Sequence, residues 1–205
     1  MRTNSNVRSI VFIALFAALF IVMSSIEVKI GLPVPITLQT FAVILAGVFL
    51  GPRNGFISII VVLALTATGL PLLHGRGGLS YLVGATGGFL WVFPLCALLI
   101  GFTTSKVLKS PYFKQNRIAA IIVLFILFEL FSSFLAYVVG IPWLMHVTGF
   151  SFAKAMLNGC YPFLIGDAIK SFIAVLLTLT LRPYILRIQS SISSKPQQHT
   201  STTTL

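Results

Sequence analysis

Two charged residues of opposite sign stand three positions apart in an otherwise apolar stretch near the C-terminal end. Asp167 and Lys170 lie in the segment 166–170, GDAIK, at the start of an apolar run. Residues at i and i+3 share one helix face, so the pair offers an acceptor and a donor to the same space. Each charge costs at least about 2.5 kcal/mol near the centre of a bilayer, so both are expected to face protein or water. An intrahelical ion pair explains their tolerance, but a polar ligand site explains their presence better.

A second polar set surrounds one arginine in a glycine-rich stretch. Arg76 lies within HGRGG at 74–78, followed by Tyr81 and by GATGG at 84–88, which contains Thr86. Glycine permits close backbone approach, and arginine holds a carboxylate through two parallel hydrogen bonds. The stretch is therefore either a flexible surface loop with a solvated Arg76 and His74, or a lid over a small anionic molecule.

Two further features have an ordinary and a functional interpretation. The segment 32–40, LPVPITLQT, contains two prolines and places Gln39 at the start of a helix. It is interpreted either as a stiff connector or as a ligand-facing loop. Glu129 is the only charged residue in its apolar run. It is interpreted either as a buried hydrogen-bonded carboxyl or as a proton-coupling group. Glu27 and Lys29 are expected to form an exposed interfacial pair.

The composition places these residues in a membrane protein. Of 205 residues, 57% are hydrophobic and only 8% are charged, and the mean hydropathy is +1.03. A soluble fold needs more polar and charged surface residues than this composition provides. The net charge is +11, but the basic residues that produce it lie beside apolar runs rather than in a basic folded domain. This arrangement argues against nucleic-acid binding.

Six apolar runs predict the transmembrane helices. They cover residues 9–26, 37–50, 55–69, 86–105, 118–139 and 161–181. The first is read as a helix rather than a signal peptide because of its length and the equally apolar runs after it. The second and third are short, since about 14 residues span only about 21 Å. The turn formers GPRNG at 51–55 nevertheless predict a tight loop between them.

The distribution of positive charge tests this count. Six spans with the N-terminus inside place ten basic residues in the cytoplasm and only Lys29, Arg76 and Lys154 outside. The ten are Arg2, Arg8, Arg53, Lys106, Lys109, Lys114, Arg117, Arg182, Arg187 and Lys195. Merging the second and third runs would move the cluster at 106–117 to the wrong face. The prediction is an all-α membrane protein, a six-helix bundle over 1–188 with both termini cytoplasmic.

The remaining segment, 189–205, is rich in Ser, Thr and Gln and is predicted to be a disordered cytoplasmic tail that includes His199. Cys96 and Cys160 stand in apolar context without metal-ligand spacing and are read as packing residues. The chain has no phosphate-binding GxxxxGK[ST] loop and no recognisable catalytic motif. It is therefore predicted to be no enzyme, and any ATP-driven work would come from another polypeptide.

Small residues in the first helix offer a contact for another helix. Ala14 and Ala18 are four positions apart, a small-xxx-small pattern that allows close helix approach. Packing within the bundle and docking of an external partner explain the pattern equally well.

At four stretches the sequence resembles the BioY family, the biotin-specific substrate-binding S components of energy-coupling factor (ECF) transporters. The stretches are GLPVPITLQT at 31–40; LAG at 45–47 with LGPRNG at 50–55; GRGG at 75–78 with GATGG at 84–88; and YPFLIGDAIK at 161–170. They cover almost all of the membrane portion in the order of the family.

The resemblance implies a six-helix bundle that binds biotin near the outer face, beneath the outer loops, with Asp167 and Lys170 in the pocket. Asp167 would accept from the ureido N–H groups, and Lys170 would donate to the ureido carbonyl or to Asp167. Arg76 is our candidate for the tail carboxylate. Gln39, Thr86 and the aromatic residues Tyr81 and Trp91 are expected to contribute to the pocket.

The resemblance also implies partners: a transmembrane coupling subunit that contacts Ala14 and Ala18, and two ATPases, in a prokaryotic cell membrane. Biotin would be the transported substrate, and no cofactor is implied. Whether the chain works with such a module or alone is left open by the sequence. The alternative function is a stand-alone proton-coupled carrier that uses Glu129.

Overall fold

The computed structural model describes residues 4–28 and 34–193, which are mostly helical. In chain order the helices are α1 (Asn4–Ser25), α2 (Gln39–Ala67), α3 (Leu79–Leu82), α4 (Gly87–Lys109), α5 (Pro111–Gln115), α6 (Arg117–Phe128), a π-helical segment (Glu129–Phe134), α7 (Leu135–Thr148), α8 (Phe152–Gly159), α9 (Leu164–Thr180) and α10 (Arg182–Ser193). Two short antiparallel strands, β1 (Glu27–Val28) and β2 (Ile36–Thr37), pair in the register Glu27 with Thr37. The all-α prediction is confirmed, with this small strand pair added.

Four helical stretches are long and apolar enough to cross a membrane among the described residues: Asn6–Ser25, Gln39–Ala67, Gly87–Lys109 and Arg117–Thr148. A fifth candidate is the pair Phe152–Gly159 and Leu164–Thr180, bent by 44° at a short break. The sequence predicted six spans. The difference lies in α2, which contains both the second and the third apolar runs.

Helix α2 is interrupted at Gly51. This residue has φ 74° and ψ −176°, outside helical geometry and in a region that favours glycine. A Cβ placed on Gly55 would lie 3.1 Å from the carbonyl oxygen of Ala46. Nine residues of straight helix extend about 13.5 Å, so this contact requires the chain to turn back. The two halves of α2 therefore pack side by side, with the turn where the GPRNG cluster predicted it.

The turn leaves one carbonyl without its usual partner, and α10 supplies the replacement. Pro52 has no N–H to donate to the carbonyl of Val48, four residues earlier. Gln189 Nε2 donates to that oxygen at 2.7 Å, and Ser105 Oγ donates to Gln189 Oε1 at 3.1 Å. The polar side chain is thus a buried bracing group between α10, α2 and α4.

This contact corrects the predicted start of the C-terminal tail. Gln189 is buried, and α10 continues to Ser193. The polar composition of this segment indicated disorder, but its glutamine gains a hydrogen-bonded site that composition does not reveal. The rest of the predicted tail, 194–205, lies outside the described residues.

Small residues bring the central helices close together. A Cβ on Gly47 would lie 2.5 Å from the carbonyl oxygen of Ala97, and one on Gly140 would lie 2.4 Å from the ring of Phe89. Helices α2 and α7 therefore pack against α4 at distances that only glycine permits. This close packing fixes the walls of the polar pocket described below.

The bundle has two distinct ends. The site end carries β1, β2, α3 and the starts of α2, α4 and α9. The basic end carries the start of α1, the turn at Gly51, the end of α4 and α10, since residues from all four line one groove there. Gly149, with φ 71°, ends α7 at the site end, and the Ser151 side chain then caps α8.

Candidate functional site

A small internal cavity lies at the site end, between the starts of α2, α4 and α9 and the junction of the π-helical segment with α7. Its volume is about 50 Å³. The polar residues around it are Thr37, Gln39, Thr40, His74, Thr86, Ser133, Tyr137, Asp167 and Lys170. The structure therefore brings the charged pair together with residues from distant parts of the chain.

The charged pair forms the centre of this site. Lys170 Nζ lies 2.5 Å from Asp167 Oδ1, and the residues are 9% and 3% exposed. Asp167 lies in the first turn of α9, where the helix dipole favours a negative charge. Both residues face the protein interior, as expected for charges within a membrane span.

Every polar atom of the pair has a protein partner. Lys170 Nζ also donates to the hydroxyl of Thr40 at 2.7 Å and to the carbonyl of Thr37 at 3.1 Å. Asp167 accepts from the Thr40 hydroxyl at 3.2 Å and from the Tyr137 hydroxyl. The three ammonium donors are thus used, which means that a ligand has to replace existing bonds.

Gln39 differs from the charged pair because one of its groups is unsatisfied. It is 6% exposed, and its Oε1 accepts from the Thr37 hydroxyl at 3.3 Å. Its Nε2 has no hydrogen-bond partner within the described part of the chain. A buried donor without an acceptor costs about 1–3 kcal/mol. Gln39, which also lines the cavity, is therefore a candidate donor to a ligand.

His74 lies at the cavity, although the sequence favoured a solvated loop position for it. It lines the cavity, and its Nδ1 lies 2.8 Å from the hydroxyl of Tyr81. Its Nε2 lies 3.9 Å from Glu27 Oε2 on β1. Burial raises the pKa of Tyr81, against the smaller opposing effects of the Thr86 hydroxyl and Arg76. The glycine-rich loop is thus connected to the strand pair through polar contacts at the cavity.

Four residues proposed from sequence have different positions relative to the cavity. Thr86 lines it at the start of α4. Arg76 is exposed and forms a backbone bridge with Leu73, while Trp91 is 43% exposed and donates to the carbonyl of Leu82. Arg76, Trp91 and Tyr81 are not among the residues that line the cavity, although Tyr81 contacts two that do, His74 and Thr86.

The aromatic wall consists of residues that were not singled out from sequence. Phe89, Phe93, Tyr137 and Phe163 line the cavity. In a chain with 18 phenylalanines, no spacing distinguishes these from lipid-facing rings. For Tyr137, the only available signal was a hydroxyl within an apolar run, since such a group needs a partner when buried.

Glu129 begins the π-helical segment and lies near the charged pair. Its principal polar neighbour is Ser171, next to Lys170 on α9, and the charges of Asp167 and Lys170 act on it. π-Helical turns within α-helices occur frequently at functional sites. The lone acid of the sequence thus belongs to the surroundings of the site, although it does not line the cavity.

Ala14 and Ala18 are exposed on α1, whereas Ala17 between them is buried. The neighbouring apolar side chains Ile10 and Leu15 are 65% and 58% exposed. The two alanines therefore do not pack within the described bundle, and they form a shallow strip open to another helix.

The described residues contain no group of three or more His, Cys, Asp or Glu side chains placed to hold a metal ion. Cys96 and Cys160 are buried free thiols. The site thus has the chemistry of hydrogen bonding and charge within an apolar, aromatic enclosure.

The fold and the site together define a multi-pass helical membrane protein with an internal polar pocket beneath its end loops. A family model described as the BioY family matches residues 1–187. The chain belongs to the BioY family, and the resemblance found in its four sequence stretches is confirmed.

Relatives and a solved structure agree with this assignment. A protein of Pyrococcus horikoshii named "Probable biotin transporter BioY" is 36% identical over 176 residues, covering 85% of this chain and 96% of the relative. "Biotin transporter BioY" of Rhizobium etli is 36% identical over 177 residues, covering 84% and 91%. The crystal structure of the S-component for biotin from an ECF-type ABC transporter aligns with a TM-score of 0.76 at 30% identity, covering 89% of this chain and 95% of that one.

Proposed function

We propose that this chain is the biotin-binding S component of an ECF transporter, which captures biotin at the outer face of the cell membrane and delivers it inward with an ATP-driven module. The observation that carries the proposal is the buried Asp167–Lys170 pair at the head of α9, inside an aromatic pocket. The two relatives described above are named as biotin transporters rather than as enzymes, which supports this proposal.

The pair has the polarity that a ureido ring requires. Asp167 provides carboxylate oxygens for the two ureido N–H groups, and Lys170 provides a cationic donor for the ureido carbonyl. Gln39 Nε2 is a further donor that has no protein partner among the described residues. The rings of Phe89 and Phe163 provide apolar walls for the bicyclic part of the ligand.

The present size of the cavity implies that binding opens it. A volume of about 50 Å³ is well below the roughly 300–1,000 Å³ of typical ligand pockets. The loop that carries His74 and Arg76 is the element to move, because it covers the cavity and is held there by polar contacts. Arg76 remains our candidate for the tail carboxylate, since it lies two residues from His74.

Six spans with both termini in the cytoplasm remain the proposed topology. The reversal at Gly51 supports counting α2 as two spans, which with the bent pair gives six. Asn6 and Gln189 line the same groove, which supports placing both ends of the described chain on one side. The basic residues at that end support a cytoplasmic location by the positive-inside tendency. The proposed location is therefore multi-pass in a prokaryotic plasma membrane.

Docking of a coupling subunit on α1 is supported by the exposure of Ala14 and Ala18. A bulky side chain at either position would hold a partner helix away without touching the pocket. Ala14→Trp or Ala18→Trp is therefore expected to abolish uptake and leave biotin binding unchanged. Ile126→Trp, at a 56% exposed position on α6, is the matched control and is expected to retain uptake. Retained uptake and co-purification in both alanine variants would refute this docking site.

The direct test of substrate is tracer binding to the purified protein with biotin, riboflavin and thiamine. Saturable binding of biotin alone is expected, and its absence would refute the proposal. Uptake with and without coexpressed coupling and ATPase subunits then tests the need for a module.

A second candidate function is a stand-alone proton-coupled carrier, which the position of Glu129 beside Ser171 and near the charged pair favours. This alternative predicts biotin uptake into liposomes that contain only this chain and carry a pH gradient. It also predicts that Glu129→Gln removes the dependence on the gradient. Uptake only in the presence of ATPase subunits would exclude it.

A further inference from the structure

A large groove opens at the basic end, on the opposite side of the bundle from the pocket. Its volume is about 1160 Å³. It runs between the start of α1, the turn at Gly51 in α2, the end of α4 and α10. Nothing in the proposed transport function assigns a ligand to it.

The groove carries positive charge that no acidic side chain among its described lining residues balances. Arg53, Lys106 and Lys109 line it, and all three side chains are exposed. The whole sequence contains only three acidic residues, and none of them is among the residues that line the groove. Lys106 Nζ lies 4.1 Å from the centroid of the Phe102 ring rather than beside an acid. The groove is therefore complementary to an anion.

The same groove has an apolar wall and neutral polar groups. Ile10, Ile57 and Phe102 line it along three different helices, and Ile10 and Phe102 are 65% and 49% exposed. Asn6 and Asn54 also line the groove and add amide donors. A ligand that fits this arrangement has an anionic, hydrogen-bonding head and a long apolar part.

We propose that this groove binds an anionic phospholipid. Its phosphate contacts Arg53, Lys106 and Lys109, and an acyl chain lies along Ile57 and Phe102. Basic pockets between transmembrane helices bind anionic lipid headgroups, and each nearby Lys or Arg strengthens such binding by about 1 kcal/mol, or about fivefold. The inference is independent of whether the pocket at the site end binds biotin.

The combination of charge and exposed hydrocarbon favours a lipid over other anions. A free phosphate would use the three cations but leave the apolar wall without a partner. An acidic protein segment would also use the cations, yet the wall lies on spans whose surroundings are acyl chains. The phospholipid satisfies both parts of the groove at once.

The test measures the binding of dioleoylphosphatidylglycerol and dioleoylphosphatidylcholine to the full chain, purified in a neutral detergent, by native mass spectrometry. Tighter binding of the phosphatidylglycerol is expected. The triple variant Arg53→Gln, Lys106→Gln, Lys109→Gln is expected to weaken phosphatidylglycerol binding about a hundredfold and to leave phosphatidylcholine unchanged. Lys109→Gln alone is expected to cause about a fivefold loss, which keeps the test valid if the triple variant does not fold.

The matched control removes three charges at the same end but outside the groove. Lys114, Arg117 and Arg187 are exposed and do not line it, and their replacement by Gln is expected to change binding less than twofold. An equal loss in this control would overturn the proposal, because the effect would then be diffuse attraction. Equal binding of both lipids would overturn it as well, as would glycerol 3-phosphate binding as tightly as the lipid. A requirement for the groove cations in capturing purified coupling subunit, without lipid preference, would identify a protein partner instead.

Discussion

The two ends of the bundle differ in the burial and pairing of their charged residues. At the site end, Asp167 and Lys170 are buried and their donors and acceptors are matched within a cavity of about 50 Å³. At the basic end, Arg53, Lys106 and Lys109 are exposed around a groove of about 1160 Å³ without a lining acid. A ligand at the site end has to displace protein contacts, which makes binding selective. A ligand at the basic end meets unpaired charge, which suits a class of molecules rather than one molecule.

The largest expected effect is at the charged pair. Asp167→Asn and Lys170→Ala are each expected to weaken biotin binding at least about tenfold, the 1.4 kcal/mol of one charge-assisted contact. Each leaves a buried charge without its partner, so thermal unfolding is expected to show a destabilisation of about 3–5 kcal/mol. Tracer binding and thermal unfolding in detergent measure the two effects separately.

The control for the pair is Lys154→Ala, which removes an exposed cation from α8 at the same end. It is expected to change neither quantity. The double variant Asp167→Asn, Lys170→Met is expected to be more stable than either single variant but equally defective in binding. Normal affinity in both single variants, with normal folding, would place the site elsewhere.

At the basic end, the next largest effect is expected from the buried glutamine of α10. Gln189→Ala leaves the carbonyl of Val48 without a donor, because Pro52 cannot provide one. The expected loss is about 1–3 kcal/mol of unfolding free energy, with biotin affinity unchanged. Ser190→Ala, at the adjacent exposed position, is the control. A Gln189→Ala variant as stable as wild type would show that the contact braces nothing.

The smallest effect is expected at Gln39, which lies at the site end beside the charged pair. Gln39→Ala removes a buried amide whose Nε2 has no partner in the described structure, so stability without ligand is expected to stay the same or rise slightly. Biotin affinity is expected to fall about fivefold, as for one neutral hydrogen bond of about 1 kcal/mol. Thermal shift with and without biotin measures both. A loss of stability without a loss of affinity would make Gln39 a structural residue only.

The features that the sequence could predict are those where a residue type is unusual for the segment around it, such as a charge in an apolar run or a turn former in a helix. Asp167 and Lys170 were identifiable because charge is expensive in an apolar run. The turn at Gly51 was identifiable because GPRNG interrupts a helical pattern. Both signals are local, and the structure buries the charged pair and turns the chain at Gly51.

The parts that sequence could not predict depend on which face of a helix packs inward. Trp91 was expected in the pocket and is 43% exposed, whereas Phe89, two residues earlier, lines the cavity. Tyr137 and Asp167 meet across 30 residues of sequence, a contact that no spacing rule specifies. Gln189 was assigned to a disordered tail because of the polar composition of its segment, and the partner that buries it, Val48, lies 141 residues away.

The hydrogen bond between Gln189 and Val48 determines when assembly of the bundle can be completed during synthesis. The hairpin centred on Gly51 leaves the ribosome early, but the donor for its Val48 carbonyl is among the last described residues to be synthesised. Assembly in the membrane is therefore complete only when the C-terminal helix returns to the first hairpin. A premature stop before Gln189 is expected to destabilise the hairpin at Gly51, because the Val48 carbonyl then lacks its donor. A tag added after Ser193 is expected to leave this hydrogen bond intact.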